Sequence, residues 1–220
     1  MKKGTNSRKR SSRYFGYALG AIVICLTGFS GIRVAGDAYR SAASGGGGDA
    51  DIKVSGTSNL HDWTMEAKNI SFSAAFVFSP DNGNEPKSLT VLKLSVPVRQ
   101  LKSGKSSMDS RAYTALNEKK YSSIVFEMTA ASIIPAQKNQ FQVKTTGNLS
   151  IAGVTKLVTM DVTGLVNADG TITCKGSEKL KMTDFQIKPP SFMLGTLKTG
   201  NELTIDFTVT VKKAEKSSHE

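Results

Sequence analysis

Histidine and cysteine are almost missing from this chain: 220 residues carry two of each, and a single tryptophan. His219 lies in the charged tail, which leaves His61 as the one imidazole placed to serve as a general base. Asp62 follows it, but sequence neighbours seldom arrange themselves as a base and its orienter. No nucleophile-elbow motif supplies a serine either. A metal centre needs several His, Cys or carboxylate ligands at suitable spacing, and the sequence offers no such set. The Gly45 to Gly48 run is not followed by Lys-Ser/Thr and leads into a strand pattern, so it is a tether and not a phosphate loop. Cys25 falls in the N-terminal apolar stretch, so Cys174 stands alone and has no internal disulfide partner. These absences argue against metal, cofactor and most hydrolytic chemistry.

Long apolar runs are missing too, with one exception. Residues 14–32 carry no charge and follow a basic head of Lys2, Lys3, Arg8, Lys9, Arg10 and Arg13. A positive head before an apolar stretch reads as an export signal over residues 1–36. Val34 and Gly36 suit the −3 and −1 positions of a cleavage site before Asp37, and Ser41 with Ala43 offers a second. The expected location is the periplasm or the exterior. The stretch is also nearly long enough to span a bilayer, so the alternative is an uncleaved anchor touching membrane through residues 14–32. Bulky Ile24 before Cys25 argues against a lipobox. Acidic residues are absent from this segment. It takes seven of the 29 basic residues and none of the 18 acidic ones, which leaves 22 against 18 from Asp37 onward. That mild excess, without a basic stripe interleaved with aromatics, does not point to nucleic acid.

What the chain does have is alternation. From Asp51 to Lys213 a short run of alternating apolar and polar residues, then a turn, recurs about eight times. The clearest run is Leu203, Ile205, Phe207, Val209 and Val211, interleaved with Thr204, Asp206, Thr208 and Thr210. A period of two gives each strand one apolar and one wet face. Strands are expected at 51–67 (with a break near 59–61), 69–78, 89–98, 121–133, 141–151, 157–166, 171–185 and 203–211. Lys102–Asn117 breaks the rhythm and predicts one short helix, capped by Ser107 or Asp109. Pro80 to Asn84, Gly153 and Asp169-Gly170 are turn signals. The organisation is thus 1–36 export segment, 37–50 Gly-rich linker, 51–213 β domain and 214–220 charged tail. An all-β antiparallel barrel of about eight strands either fills its interior or encloses one ligand. Without disulfides, the domain must rely on its own core.

The chain is also similar to a known family in several segments. Val54–Trp63 (VSGTSNLHDW), Met108-Asp109 ahead of the helix, and Tyr121–Phe126 (YSSIVF) resemble YceI-like proteins. So do Gly147–Val154 (GNLSIAGV), Met182–Phe185 with Pro189-Pro190, and Gly195–Phe207 (GTLKTGNELTIDF). The resemblance implies an extended, eight-stranded, antiparallel lipocalin-like β-barrel with one short helix, holding a polyisoprenoid or similar long-chain amphiphile in an apolar tunnel. Alternation then nominates Phe72, Phe76, Leu92, Leu94, Phe126, Met128, Val143, Met160, Ile205 and Phe207 as lining residues. Trp63, Met108, Tyr113, Phe185, Phe192 and Met193 are the mouth candidates. The leading expectation is an exported lipid carrier that is not an enzyme and needs no cofactor. The alternatives are a lipid hydrolase or isomerase using His61 and Asp62 at the mouth, or a filled barrel that binds a protein. Pairing of two barrels is left open.

Overall fold

The computed structural model describes residues 38–42, 50–68, 70–80, 85–192 and 195–212. The basic head and apolar stretch, most of the linker, the 81–84 turn, Met193 and the tail lie outside these. Among the described residues eleven strands form: β1 Ala38–Ala42, β2 Ala50–Ser58, β3 Trp63–Ala67, β4 Ser71–Phe78, β5 Pro86–Pro97, β6 Ser123–Pro135, β7 Gln140–Ile151, β8 Val154–Val166, β9 Ile172–Lys181, β10 Ser191–Phe192 and β11 Leu197–Val211. Among the described residues one α-helix, α1, spans Ser106–Ala115 between β5 and β6. No helix among the described residues is long and apolar enough to cross a membrane.

All the ladders are antiparallel, in the order β1-β4-β5-β6-β7-β8-β9-β11-β2-β3, with β10 paired to β11. The three strands beyond the expected eight have separate origins. The 51–67 run breaks at a bend into β2 and β3, where Ser58 Oγ donates to the His61 carbonyl at 2.7 Å. Within the segment read as linker, Ala38–Ala42 pairs with β4. The Pro-rich stretch read as a loop carries the two-residue β10. The 171–185 strand is shorter than expected: it ends at Lys181, and Met182–Phe185 is a 3₁₀ turn.

Side-chain burial follows the pleat. Along β7, Phe141, Val143, Thr145, Gly147, Leu149 and Ile151 are buried, and the residues between them face outward. Apolar burial of this kind stabilises by roughly 25 cal/mol per Å². β7 turns into β8 through Ala152 and Gly153, both at positive φ, the geometry that matches strand twist in a two-residue hairpin. The Asp169-Gly170 turn forms as expected, with Asp169 Oδ1 accepting the Thr171 N–H at 2.9 Å and its hydroxyl at 2.7 Å.

Two irregularities shape the interior. A bulge at Thr129 interrupts the β6–β7 register, so the inward positions change from Phe126 to Ala131 and Ile133. The β8–β9 ladder covers only Val162–Val166 with Ile172–Gly176. Beyond it the two strands part, each keeping its other neighbour. Met182, Phe185 and Ile187 fill this seam, packed with Val154, Val158, Met160 and Leu180.

Candidate functional site

Inward residues of eight strands surround one lumen, which is not filled by side chains. Its inner chamber is a cavity of ≈ 140 Å³. Phe72 and Phe76 reach it from β4, Leu92 and Leu94 from β5, and Phe126 from β6. Val143 comes from β7, Met160 from β8, and Ile205 with Phe207 from β11. Alternation had nominated all nine of these. Ile52, Val54, Leu89, Val96, Leu149, Val162, Cys174, Leu180, Val209 and Val211 complete much of the wall. Several of them, Val96, Leu149, Val162, Val209 and Val211, share the phase of a nominated neighbour on the same strand.

Met128, nominated for the lumen wall, and Tyr113, nominated for the mouth, line neither chamber. Met128 is the last residue before the Thr129 bulge, where the strand changes phase, and it packs within the apolar layer. Tyr113 points from α1 to the chain below, donating its hydroxyl to the carbonyls of Leu101 (2.8 Å) and Arg99 (3.1 Å). It fastens the helix to the barrel. The expected caps also differ. Lys105 is the N-cap residue and makes no side-chain cap. Asp109 instead reaches back, and its Oδ1 accepts the backbone N–H (2.8 Å) and hydroxyl (2.7 Å) of Ser103. The hydroxyl bond is the main cause holding the Asp109 carboxyl below its ordinary range, against the opposing effect of burial.

The outer chamber, ≈ 290 Å³, lies under α1 and the loops. Trp63, Met108 and Phe185 line it, as do Met65, Ala112, Leu116, Met182 and Ile187. Trp63 is locked by its indole N–H, which donates to the Thr57 carbonyl at 3.0 Å. Phe192 is in β10, its main chain opposite Leu197, and its side chain lies outside the described set, as does Met193. Val54, Leu101, Ile124, Leu180 and Ile205 line both chambers, so the two abut. In series they reach the roughly 300–1,000 Å³ of small-molecule pockets.

Polar groups are sparse on the inner wall. The Cys174 thiol is pushed up to about 12 by burial, which keeps it protonated and unreactive. Glu178 sits on the inward side of β9 beside the seam. Its carboxyl is raised from the ordinary value, chiefly by burial and then by the charge of Asp161. His61 lines the outer chamber and is exposed. Its Nδ1 donates to the main-chain carbonyl of Asp62 at 2.7 Å, so the neighbouring carboxylate does not orient it. Among the described residues no cluster of His, Cys, Asp and Glu is arranged to hold a metal ion.

An antiparallel barrel curled round an apolar, two-chambered lumen is a lipocalin-like architecture. The YceI-like domain profile matches residues 48–211, well over half of the chain, and the chain belongs to that family. The structure is similar to BcnA of Burkholderia cenocepacia at TM-score 0.53 and 20% identity, covering 73% of this chain and 95% of that one. It is also similar to a polyisoprenoid-binding domain from Saccharophagus degradans implicated in plant cell wall breakdown. That match has TM-score 0.55 and 10% identity, and covers 81% of this chain and 99% of the other. Identities this low speak to the fold alone. No curated protein sequence gives a significant match.

Proposed function

We propose that this protein binds a lipid by enclosure, taking a polyisoprenoid or similar long-chain amphiphile into the lumen for storage or transport. The observation that carries the reading is the unfilled, carbon-walled cavity running between Phe72, Val143, Cys174 and Phe207. A chain moving from water into such a space gains roughly 0.8 kcal/mol per buried CH₂. Apolar cavities of this kind stay dry, so an apolar chain displaces little bound water. The related domain from Saccharophagus, described as polyisoprenoid-binding, supports the choice of ligand class. The lone, carbonyl-bonded His61 favours binding over turnover. The basic head and apolar stretch fit export to the periplasm, with an anchored form as the variant.

Mass spectrometry of an organic extract of the purified protein tests this directly. A co-purifying long-chain lipid, or saturable uptake of a fluorescent isoprenoid, is the expected result. Neither lipid nor uptake would overturn it.

A further inference from the structure

The two ends of the barrel differ in charge. The antiparallel order puts residues 59–62, 98–122, 152–153 and 182–196 at the mouth, and residues 79–85, 136–139 and 167–171 at the far end. The mouth stretches carry seven Lys or Arg against four Asp or Glu, whereas the far turns carry one against three. Two of the four mouth acids are already engaged. Glu118 accepts from Arg99 at 2.7 and 3.2 Å, and Asp109 accepts from Ser103. Lys105, Lys119, Lys120 and Lys188 are exposed at this end. Lys181 and Lys198, at the adjoining strand ends, join Lys105 on the wall of the outer chamber, where no Asp or Glu stands among the described residues.

One apolar side chain interrupts the basic rim. Leu60 lines the same chamber yet is 65% exposed. A lone exposed leucine is ordinary, but this one sits on a bend that is held from both sides. Ser58 Oγ accepts the N–H of Leu60 at 3.2 Å and of His61 at 3.1 Å. Asn59 ties the bend to the start of β11. Its Nδ2 donates to the Thr196 carbonyl at 2.6 Å, and its Oδ1 accepts the Lys198 N–H at 2.9 Å. The leucine is thus presented on a fixed backbone, so little further ordering is needed to bury it. An apolar tip among lysines suits the interface of an anionic bilayer, where head-group charge attracts the lysines and the tip enters the acyl boundary.

We propose that the mouth end of the barrel is a docking face for an anionic lipid bilayer, with the basic rim against the head groups and Leu60 in the interface. The choice of a bilayer over an acidic protein rests on the enclosure reading, since a long-chain lipid reaches the mouth from a membrane. The charge pattern and the held leucine do not depend on that reading.

The test places an environment-sensitive nitrobenzoxadiazole label at Leu60→Cys, or at Gln137→Cys in the exposed far-end turn between β6 and β7. The chain also carries Cys25→Ser, and Cys174 is buried and unreactive. The vesicles are phosphatidylcholine with about one-quarter phosphatidylglycerol, or phosphatidylcholine alone. At low salt the label at position 60 should shift to the blue on anionic vesicles and partition to them about tenfold or more tightly than to neutral ones, while the label at 137 should not shift. High salt should abolish the difference. Lys105→Gln with Lys198→Gln should weaken anionic partitioning about tenfold or more, and the control pair Lys53→Gln with Lys144→Gln, exposed on the barrel flank, should stay within about twofold. The label reports which end meets lipid whether or not residues 14–32 are retained. No shift at 60, a shift at 137, equal shifts on the two kinds of vesicle, or equal losses in the two double variants would each overturn the docking face. Soluble polyglutamate that shifts the label at 60 as far as the vesicles do assigns the rim to an acidic protein and overturns it too. Saturable isoprenoid uptake without a shift at 60 removes docking and leaves enclosure standing, and a shift without uptake does the reverse.

Discussion

Asp109 is the side chain on which the helix start depends, because both bonds from Ser103 end on one of its oxygens. Asp109→Ala removes that acceptor and leaves two half-buried donors without it, at a cost of about 1–3 kcal/mol. Its folded pKa is lowered, so its contribution is fully present above the unfolded value of about 3.9 and is lost as pH falls through the folded value. Denaturant melts of wild type and Asp109→Asn should therefore converge only in strong acid. Glu178 has the opposite sign. Its raised pKa means that the ionised form is penalised in the folded state. Glu178→Gln should raise Tm at pH 7 and have little effect below about pH 4, where both states are protonated. Gly176 faces inward, and a Cβ there would overlap the Phe207 ring opposite it. Gly176→Ala should cost about 1–3 kcal/mol by overpacking, measured by urea unfolding.

At the scale of strands and turns, the parting of β8 from β9 has its own signature. Val162–Val166 has ladder partners on both sides, whereas 154–161 has them only from β7. Hydrogen exchange read residue by residue should show continuous protection over 162–166 and alternating protection over 154–161. Uniform protection along all of β8 would contradict the seam. This feature also marks where sequence reading stops. Alternation located eight principal strands and the helix, because the pleat imposes a period of two on any half-buried strand. It placed Phe72, Phe76, Leu92, Leu94, Val143, Ile205 and Phe207 on the lumen because each lies in an unbroken run. Met128 shares the inward phase of Phe126 and packs against the core without lining a chamber, and the bulge after it shifts the facing only from Ala130 onward, without changing composition. Tyr113 was misread because its partners are main-chain carbonyls, which leave no trace in side-chain pattern. Lys105, Lys181 and Lys198 lie far apart in the sequence. Only the fold brings their separate segments to one mouth.

At the scale of the whole barrel, the lumen is left open and not packed with side chains. The inward glycines and aromatics alternate as space and ring, and the remaining volume is divided between an apolar inner chamber and a basic outer one. Ile205 lines both chambers where they abut, so a larger side chain there obstructs the passage without touching the strand's hydrogen bonds. The decisive measurement is saturable uptake of a fluorescent polyisoprenoid by wild type and Ile205→Trp, with circular dichroism and thermal melting as controls for folding. Enclosure predicts that the folded variant loses uptake at least tenfold while wild type saturates at one ligand per barrel. Equal uptake by the two folded proteins would place the lipid on the outside of the barrel and contradict the account.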